Sequence, residues 1–298
     1  MNIKYFDTAW NDIKHSDGWF KKMCLLALIG LIPIFGQIVI LGYLFGWARE
    51  IAWGVRMPLP ERIFANEDGK LYRRGFFILV ASFVLSLVPV LVSIGGNTLQ
   101  EVGILSMDPR GASGGVVMTY IMVGGIVALI GSLLSMFVEV VVWVSSMRIS
   151  IYDNLSSGFQ LKVIWRMMKH DGGGLARIFG MYLLVGLVIG LILTVIAVAG
   201  VFIFLGSLFA AGPAYYSADF YGFFAVTGIG FILFLLVFSY VAEVASVFSY
   251  ALVARAMGYW TCQFDVPRWL GQDDPLPFER QQQYPQYPQY PSQTIDSH

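Results

Sequence analysis

The chain alternates between long apolar blocks and short polar stretches. Residues 75–95, 116–147, 178–211 and 221–254 are each apolar over twenty residues or more. That is the length an α-helix needs to cross a hydrocarbon core of roughly 30 Å. Each block therefore predicts a transmembrane helix. A fifth block, residues 23–47, is interrupted near its middle by Pro33 and Gly36. The break leaves one piece of about ten residues and another of about fourteen, each short of the ~20 that a straight crossing requires. This segment either crosses with a kink or enters and returns on the same side. The predicted fold is all-α: a polytopic transmembrane helical bundle of four full spans plus a Pro-broken N-terminal segment.

The polar stretches orient the blocks. Lys4, Lys14, Lys21 and Lys22 precede the broken segment, and Arg49, Arg56, Arg62, Lys70, Arg73 and Arg74 follow it. Cytoplasmic flanks are enriched in Lys and Arg, so both ends of this segment read as inside, which favours the re-entrant form. Residues 96–115 carry one basic residue, Arg110, and residues 212–220 carry none, so both read as outside. Arg148, Lys162, Arg166, Lys169 and Arg177 mark residues 148–177 as inside, as do Arg255, Arg268 and Arg280 after the last block. The expectation is a multi-pass protein of the cytoplasmic membrane with both termini inside.

Three further segments stand out. In residues 1–22, Tyr5, Phe6, Ala9, Trp10 and Ile13 recur at helical spacing ahead of Trp19, Phe20 and Lys21-Lys22. They predict an interfacial amphipathic helix with an aromatic and basic anchor, or one that docks on a partner. Residues 157–169, capped by Ser156 or Ser157, predict a second amphipathic helix, with Lys162, Arg166 and Lys169 on one face. Those three residues form a candidate face for anionic lipid, unless they are ordinary positive-inside flanking. From residue 261 onward prolines accumulate, and residues 281–293 form a Gln/Tyr/Pro tract with three Tyr-Pro units. Residues 261–298 are expected to form a disordered cytoplasmic tail.

Two acidic residues interrupt the apolar blocks, and they repeat. Gly124, Ser135, Glu139, Val140 and Ser145 recur 104 positions later, without a gap, as Gly228, Ser239, Glu243, Val244 and Ser249. The second and fourth blocks run in the same direction, so the pattern suggests a parallel repeat of helical hairpins, with chance similarity of two Gly- and Val-rich helices as the alternative. A carboxylate in lipid is costly, so Glu139, Glu243 and the serines one turn away, Ser135 and Ser239, form a candidate intramembrane polar site. The long blocks also allow another register, in which the core covers residues 119–138 and 223–242 and both glutamates emerge at the inner interface. Sequence alone leaves these two registers open.

Composition agrees with a membrane protein. The 298 residues are 57% hydrophobic and 13% charged, against roughly 25% charged in soluble domains. Lys plus Arg and Asp plus Glu number 19 each, so no charge excess points to nucleic acid. Cys24 and Cys262 are isolated, and His15, His170 and His298 lie in polar flanks without metal-pair or nucleophile-base spacing. No metal, cofactor or catalytic centre is expected. The charged residues ahead of the first apolar block do not form the basic region of a cleaved signal peptide, so they are expected to stay on the mature chain. The Gly-x-x-x-Gly pairs Gly42/Gly46, Gly111/Gly115 and Gly186/Gly190 are no more frequent than chance gives with 32 glycines, so they carry no weight as packing motifs.

Trp19-Phe20-Lys21-Lys22, Leu31-Ile32-Pro33-Ile34, Leu41-Gly42-Tyr43-Leu44 and Pro58-Leu59-Pro60-Glu61, with Gly75 a short way on, resemble a prokaryotic membrane-protein family called domain of unknown function 4013. The resemblance covers residues 15–80 well and the later helices in outline. Arg62 departs from the aromatic residue that often follows Pro-Leu-Pro-Glu there. The resemblance implies an architecture and no known activity. The functional expectation is a non-enzymatic, membrane-embedded interaction or assembly component, whose partners are the bilayer and other proteins or further copies of the chain. The alternative is a small transporter whose Glu139 and Glu243 meet between the repeats.

Overall fold

The computed structural model describes residues 4–64, 68–106, 114–210 and 220–283. They form nine α-helices: α1 (Tyr5–Lys14), α2 (Trp19–Gly30), α3 (Phe35–Ala52), α4 (Leu71–Leu105), α5 (Gly114–Tyr152), α6 (Leu161–His170), α7 (Gly172–Ala210), α8 (Phe220–Cys262) and α9 (Pro277–Gln283). Short 3-10 turns cover Leu155–Phe159 and Val266–Arg268. Four helices, α4, α5, α7 and α8, are long and apolar enough to cross a membrane.

Helix length explains the architecture. At 1.5 Å per residue, the 35 residues of α4 and the 43 of α8 extend about 52 Å and 64 Å, well beyond a ~30 Å core. The excess lies at one end. In α5 most residues before Glu139 are exposed, whereas Val141 to Ser150 are all buried. In α8 the side chains from Ala251 to Thr261 are buried, while Ile232, Leu233 and Leu235 to Val237 are exposed. The distal halves of the long helices are apolar and bare, and their proximal ends pack with α1, α2, α3, α6 and α9 into a helical base. Every Lys and Arg among the described residues belongs to that base.

The broken segment is a re-entrant hairpin. α2 starts in the base, where Lys22 Nζ donates to the Leu59 carbonyl at 3.0 Å and Trp19 packs edge-on against Trp10 of α1. It ends at Gly30, beside the Glu243 carboxylate of α8. α3 starts at the same level, with Gln37 against Glu243, and returns to the base, where Gly258 of α8 meets the Ala48 carbonyl. The turn is tight. Phe35 N–H donates to the Pro33 carbonyl at 2.7 Å across Ile34, whose φ is 65°. That γ-turn geometry is strained for a β-branched residue. The apex presents Leu31, Ile32, Ile34 and Phe35 outward, Ile34 with 69% exposure.

Several expected boundaries shift. The span placed at residues 75–95 runs on to Leu105, so residues 96–105 of the expected outside loop belong to α4, which passes unbroken through Pro89. Proline is tolerated there because neighbouring helices and local adjustment satisfy the freed backbone groups. The amphipathic segment placed at 157–169 is a 3-10 turn followed by a helix from Leu161, and the side chain that caps the turn belongs to Asn154 rather than Ser156 or Ser157. α1 lays Tyr5, Ala9 and Ile13 into the core and packs on α8. The tail expected to be disordered from 261 is packed to Arg280, because Phe264, Val266 and Leu276 are buried and anchor it to the base. Residues 284–298, with all three Tyr-Pro units, lie outside the described residues.

Candidate functional site at the boundary between hairpins and base

The two hairpins, α4–α5 and α7–α8, each carry their glutamate on the second arm, at the level where bare helix gives way to enclosed helix. Glu139 Oε1 accepts from the indole N–H of Trp143 at 3.0 Å, one turn nearer the base. Trp143 is 1% exposed and is held edge-on by Tyr182 of α7, at 5.2 Å between ring centroids, with Phe179 beside it. Glu139 therefore fixes the indole on which the first hairpin meets the second. Glu243 is placed differently. Its Oε1 accepts from Gln37 Nε2 of α3 at 3.5 Å and lies against Gly30, where a Cβ would collide with it. Tyr250, two helix turns further into α8, is within electrostatic reach of Glu139, Tyr182 and Glu243 alike. The two carboxylates share one neighbourhood, and each is tied to its own partner.

The serines do not join them. Ser135 Oγ donates to the Gly131 carbonyl of its own helix at 2.9 Å, the i−4 back-bond open to a helical serine. Ser239 is exposed on α8. The repeated glycines differ as well. Gly124 packs against Gly96 and Gln100 of α4, whereas nothing lies within 4 Å of a Cβ at Gly228.

On α6 the exposed residues are Leu161, Lys162, Trp165, Arg166, Lys169 and His170, and the buried ones Val163, Ile164, Met167 and Met168. Lys162, Arg166 and Lys169 thus share the outer face, though in different states. Arg166 Nη1 pairs with Glu279 of α9 at 2.9 Å. Lys169 Nζ lies over the Trp165 ring at 5.5 Å.

The base itself is locked by three arginines that the charge pattern marked only as flanking residues: Arg74, Arg148 and Arg255, each at most 1% exposed. Arg74 pairs with Asp68 in the loop before α4. Arg148 donates to the Ser157 carbonyl at 3.1 Å, to the Gln272 carbonyl at 3.2 Å and to the Gln160 side chain, and lies over the Tyr152 ring. Arg255 pairs with Asp12 of α1 at 2.6 Å, donates to the Met57 carbonyl at 3.0 Å and lies 4.1 Å over the Trp47 ring. Each buried charge is matched to a carboxylate, carbonyl or aromatic face, as interior charge requires. The one signal that separates Arg148 and Arg255 from the other basic residues is their position inside continuous apolar helix rather than after it.

A cavity of about 510 Å³ opens beside Arg74, lined by Trp47, Glu50, Asp68 and the Pro58-Leu59-Pro60-Glu61 loop. The loop is pinned by Tyr43, whose hydroxyl donates to the Pro60 carbonyl at 2.8 Å, and by Trp47, whose indole donates to the Met57 carbonyl at 2.9 Å. Among the described residues no cluster of His, Cys, Asp and Glu could hold a metal ion.

Two apolar hairpins long enough to cross a bilayer, a re-entrant hairpin and a charge-locked base define a polytopic α-helical membrane protein. The chain belongs to the family described as protein of unknown function DUF4013, whose model matches residues 25–198. The match runs from the re-entrant hairpin through α4, α5 and α6 into α7, leaves Trp19-Phe20-Lys21-Lys22 outside, extends well beyond residue 80 and stops short of Glu243. No curated protein and no solved structure matches the chain.

Proposed function

We propose that this protein is a non-enzymatic scaffold of the cytoplasmic membrane, with its hairpins in the bilayer and its helical base on the cytoplasmic side as the part that receives partners. The observation that carries this reading is the change of environment at Glu139 and Glu243. Distal to them the helices are bare and apolar; proximal to them the helices are enclosed by protein. A bilayer core over the bare stretch puts both carboxylates at the inner interface, where they cost little. The gathering of Lys and Arg in the base supports its cytoplasmic side. The enclosed arginines are engaged in fastening segments of the chain, a structural use of charge.

The transporter alternative has one observation in its favour, the common neighbourhood of Glu139, Tyr182, Tyr250 and Glu243 between the hairpins. Cysteine accessibility separates the two. Single cysteines at 135, 139, 239 and 243, with Cys24 and Cys262 replaced, are probed with a small water-soluble thiol reagent in intact and permeabilised cells. Cys262, free and exposed in the base, serves in the native chain as the marker of that side. The scaffold reading expects 139 and 243 to react only after permeabilisation, as Cys262 does, with 135 and 239 silent. Reaction at 135 and 239 would carry water a turn deeper on both helices and replace this reading with the transporter.

A further inference from the structure

We propose that α6 and α5 form a binding site for one anionic phospholipid, with an acyl chain in the groove between the two helices and the phosphate at Lys162. The groove, about 440 Å³, is lined by Leu85 of α4, Phe137, Val138 and Val141 of α5, and Ile164, Trp165 and Met168 of α6. Its only charged lining residue is Lys162. Lys162 and Leu161 also line a second groove, which holds the side chains of Gln160, Arg166 and Asp273. An apolar channel and a group of polar side chains therefore meet at a single exposed lysine.

The two halves lie where the two halves of a lipid lie. Phe137 is two residues distal to Glu139, at the level where bare helix begins, and Trp165 packs edge-on against it at 6.2 Å. An exposed Trp beside a basic residue at this level is the usual composition of a membrane interface. The bare apolar surface of α4 and α5 continues distally from the groove, so an acyl chain entering it stays in hydrocarbon throughout. The polar side distinguishes the three basic residues of the face. Arg166 is held by Glu279 and Lys169 by the Trp165 ring. Asp273 on the rim already accepts from Gln160 Nε2 at 2.6 Å. Lys162 is the cation that borders both grooves, and charge complementarity selects an anionic over a zwitterionic headgroup.

The test uses the full-length protein in detergent micelles, titrated with phosphatidylglycerol, phosphatidylcholine or inorganic phosphate and read by native mass spectrometry. Preferential retention of phosphatidylglycerol is expected, falling about fivefold in Lys162→Gln, the loss of one interfacial charge. That difference should shrink in high salt. Val138→Trp, which fills the groove and leaves Lys162 in place, should weaken both lipids together. Lys162 is exposed, so its replacement leaves the fold intact. Equal retention of the two lipids, or an unchanged preference in Lys162→Gln, overturns the proposal. Phosphate binding that matches phosphatidylglycerol shows a free-anion site and overturns it as well.

Discussion

The two hairpins are alike in length and hydropathy and differ in what holds their arms together. In α4–α5 the arms meet backbone to backbone. Ser93 faces Gly131, Gly96 faces Ala128, Gln100 faces Gly124 and Gly103 faces Ile121, and at Gly124 a Cβ would stand 2.7 Å from the Gln100 nitrogen. The glycines of each arm, Gly96/Gly103 and Gly124/Gly131, are seven residues apart, two turns on one face. In α7–α8 the arms meet through side chains. Phe204 stacks on Phe231 at 4.2 Å, Phe231 and Phe234 continue towards Phe238, and the Phe234 ring covers Gly200. Gly180, Gly186, Gly190, Gly206, Gly228 and Gly230 have nothing within 4 Å of where a Cβ would stand. Glycine content is therefore no guide to packing in this protein. What matters is whether glycines on facing helices fall at the same level.

The sharpest way to break this comparison is to add bulk at matched sites. Gly96→Leu with Gly124→Leu drives side chains into backbone, at about 1–3 kcal/mol per site and up to about 6 kcal/mol together. Gly186→Leu with Gly190→Leu, on the open face of α7, should stay within roughly 0.5 kcal/mol of the parent. Thermal unfolding in detergent, followed by size-exclusion retention, reads both pairs. Equal losses would remove the distinction between the hairpins.

The same comparison shows what the sequence makes legible. The number and order of the spans follow from the apolar blocks. Pro33 with the basic residues on both flanks favours the re-entrant form of residues 23–47 without deciding against a kinked crossing; the contacts of α2 and α3 with α8 decide it. Of the Gly-x-x-x-Gly pairs expected to carry no weight in packing, Gly186 and Gly190 have nothing within 4 Å of where a Cβ would stand, whereas Gly42 is pressed against the Leu71 carbonyl and Gly75 of α4 and overturns that expectation. The seven-residue glycine pairs escaped because a one-dimensional pattern does not say which helix faces which. The Ser135 and Ser239 assignment failed for a related reason. One turn along a helix puts a serine near a glutamate, but Ser135 donates to its own i−4 carbonyl instead and Ser239 is exposed. The buried arginines were counted as flanking charge because helix length beyond the bilayer, and so the base itself, is not written in hydropathy. The packed stretch 261–280 was hidden by its prolines, which outweighed Phe264, Val266 and Leu276.

Since α7–α8 has no glycine seam, its hold on the rest of the molecule lies at the base of α8. Arg255 joins α8 to Asp12 of α1, to Met57 before α4 and to the Trp47 ring of α3. Arg255→Ala leaves Asp12 with the Tyr259 hydroxyl, at 2.6 Å, as its partner and should cost about 3 kcal/mol, the lower end for breaking a buried pair. Arg255→Met with Asp12→Leu, which removes both charges, should recover most of that loss. A double variant as unstable as the single one would show that the cation–carbonyl contacts, and not the ion pair, carry the joint.

A smaller effect distinguishes the two glutamates. Glu139→Gln keeps an oxygen for the Trp143 indole and should lose about 1 kcal/mol, whereas Glu139→Leu leaves a buried N–H without a partner, at about 1–3 kcal/mol. Glu243, with one long contact to Gln37, should tolerate Gln with no measurable change in unfolding temperature. Thermal unfolding in detergent compares the three variants with the parent. If Glu243→Gln destabilises as much as Glu139→Leu, the two hairpins are anchored alike after all.

The smallest expected effect concerns acid, and it bears on the α3–α4 end of the first hairpin. Burial alone would raise the Asp68 carboxyl. The Arg74 guanidinium, the Lys70 N–H at 3.1 Å and Arg49 at 3.0 Å outweigh it and hold the group below the usual carboxylate range. A depressed folded-state value means that the unfolded chain binds the proton more readily. The stability from Asp68 is therefore fully present above the unfolded value, about 3.9, and is lost as pH falls from there through the lower, folded value. Asp68→Asn should be less stable than the parent at neutral pH and converge on it in acid. The difference should be smaller than that of Arg255→Ala, because Asp68 remains partly exposed and Arg49 keeps a second partner in Glu50 at 3.8 Å. Parallel pH curves for the two proteins would mean that Arg74 does not depend on Asp68. Its burial against Trp47 and the Pro-Leu-Pro-Glu loop would then be what anchors the start of α4.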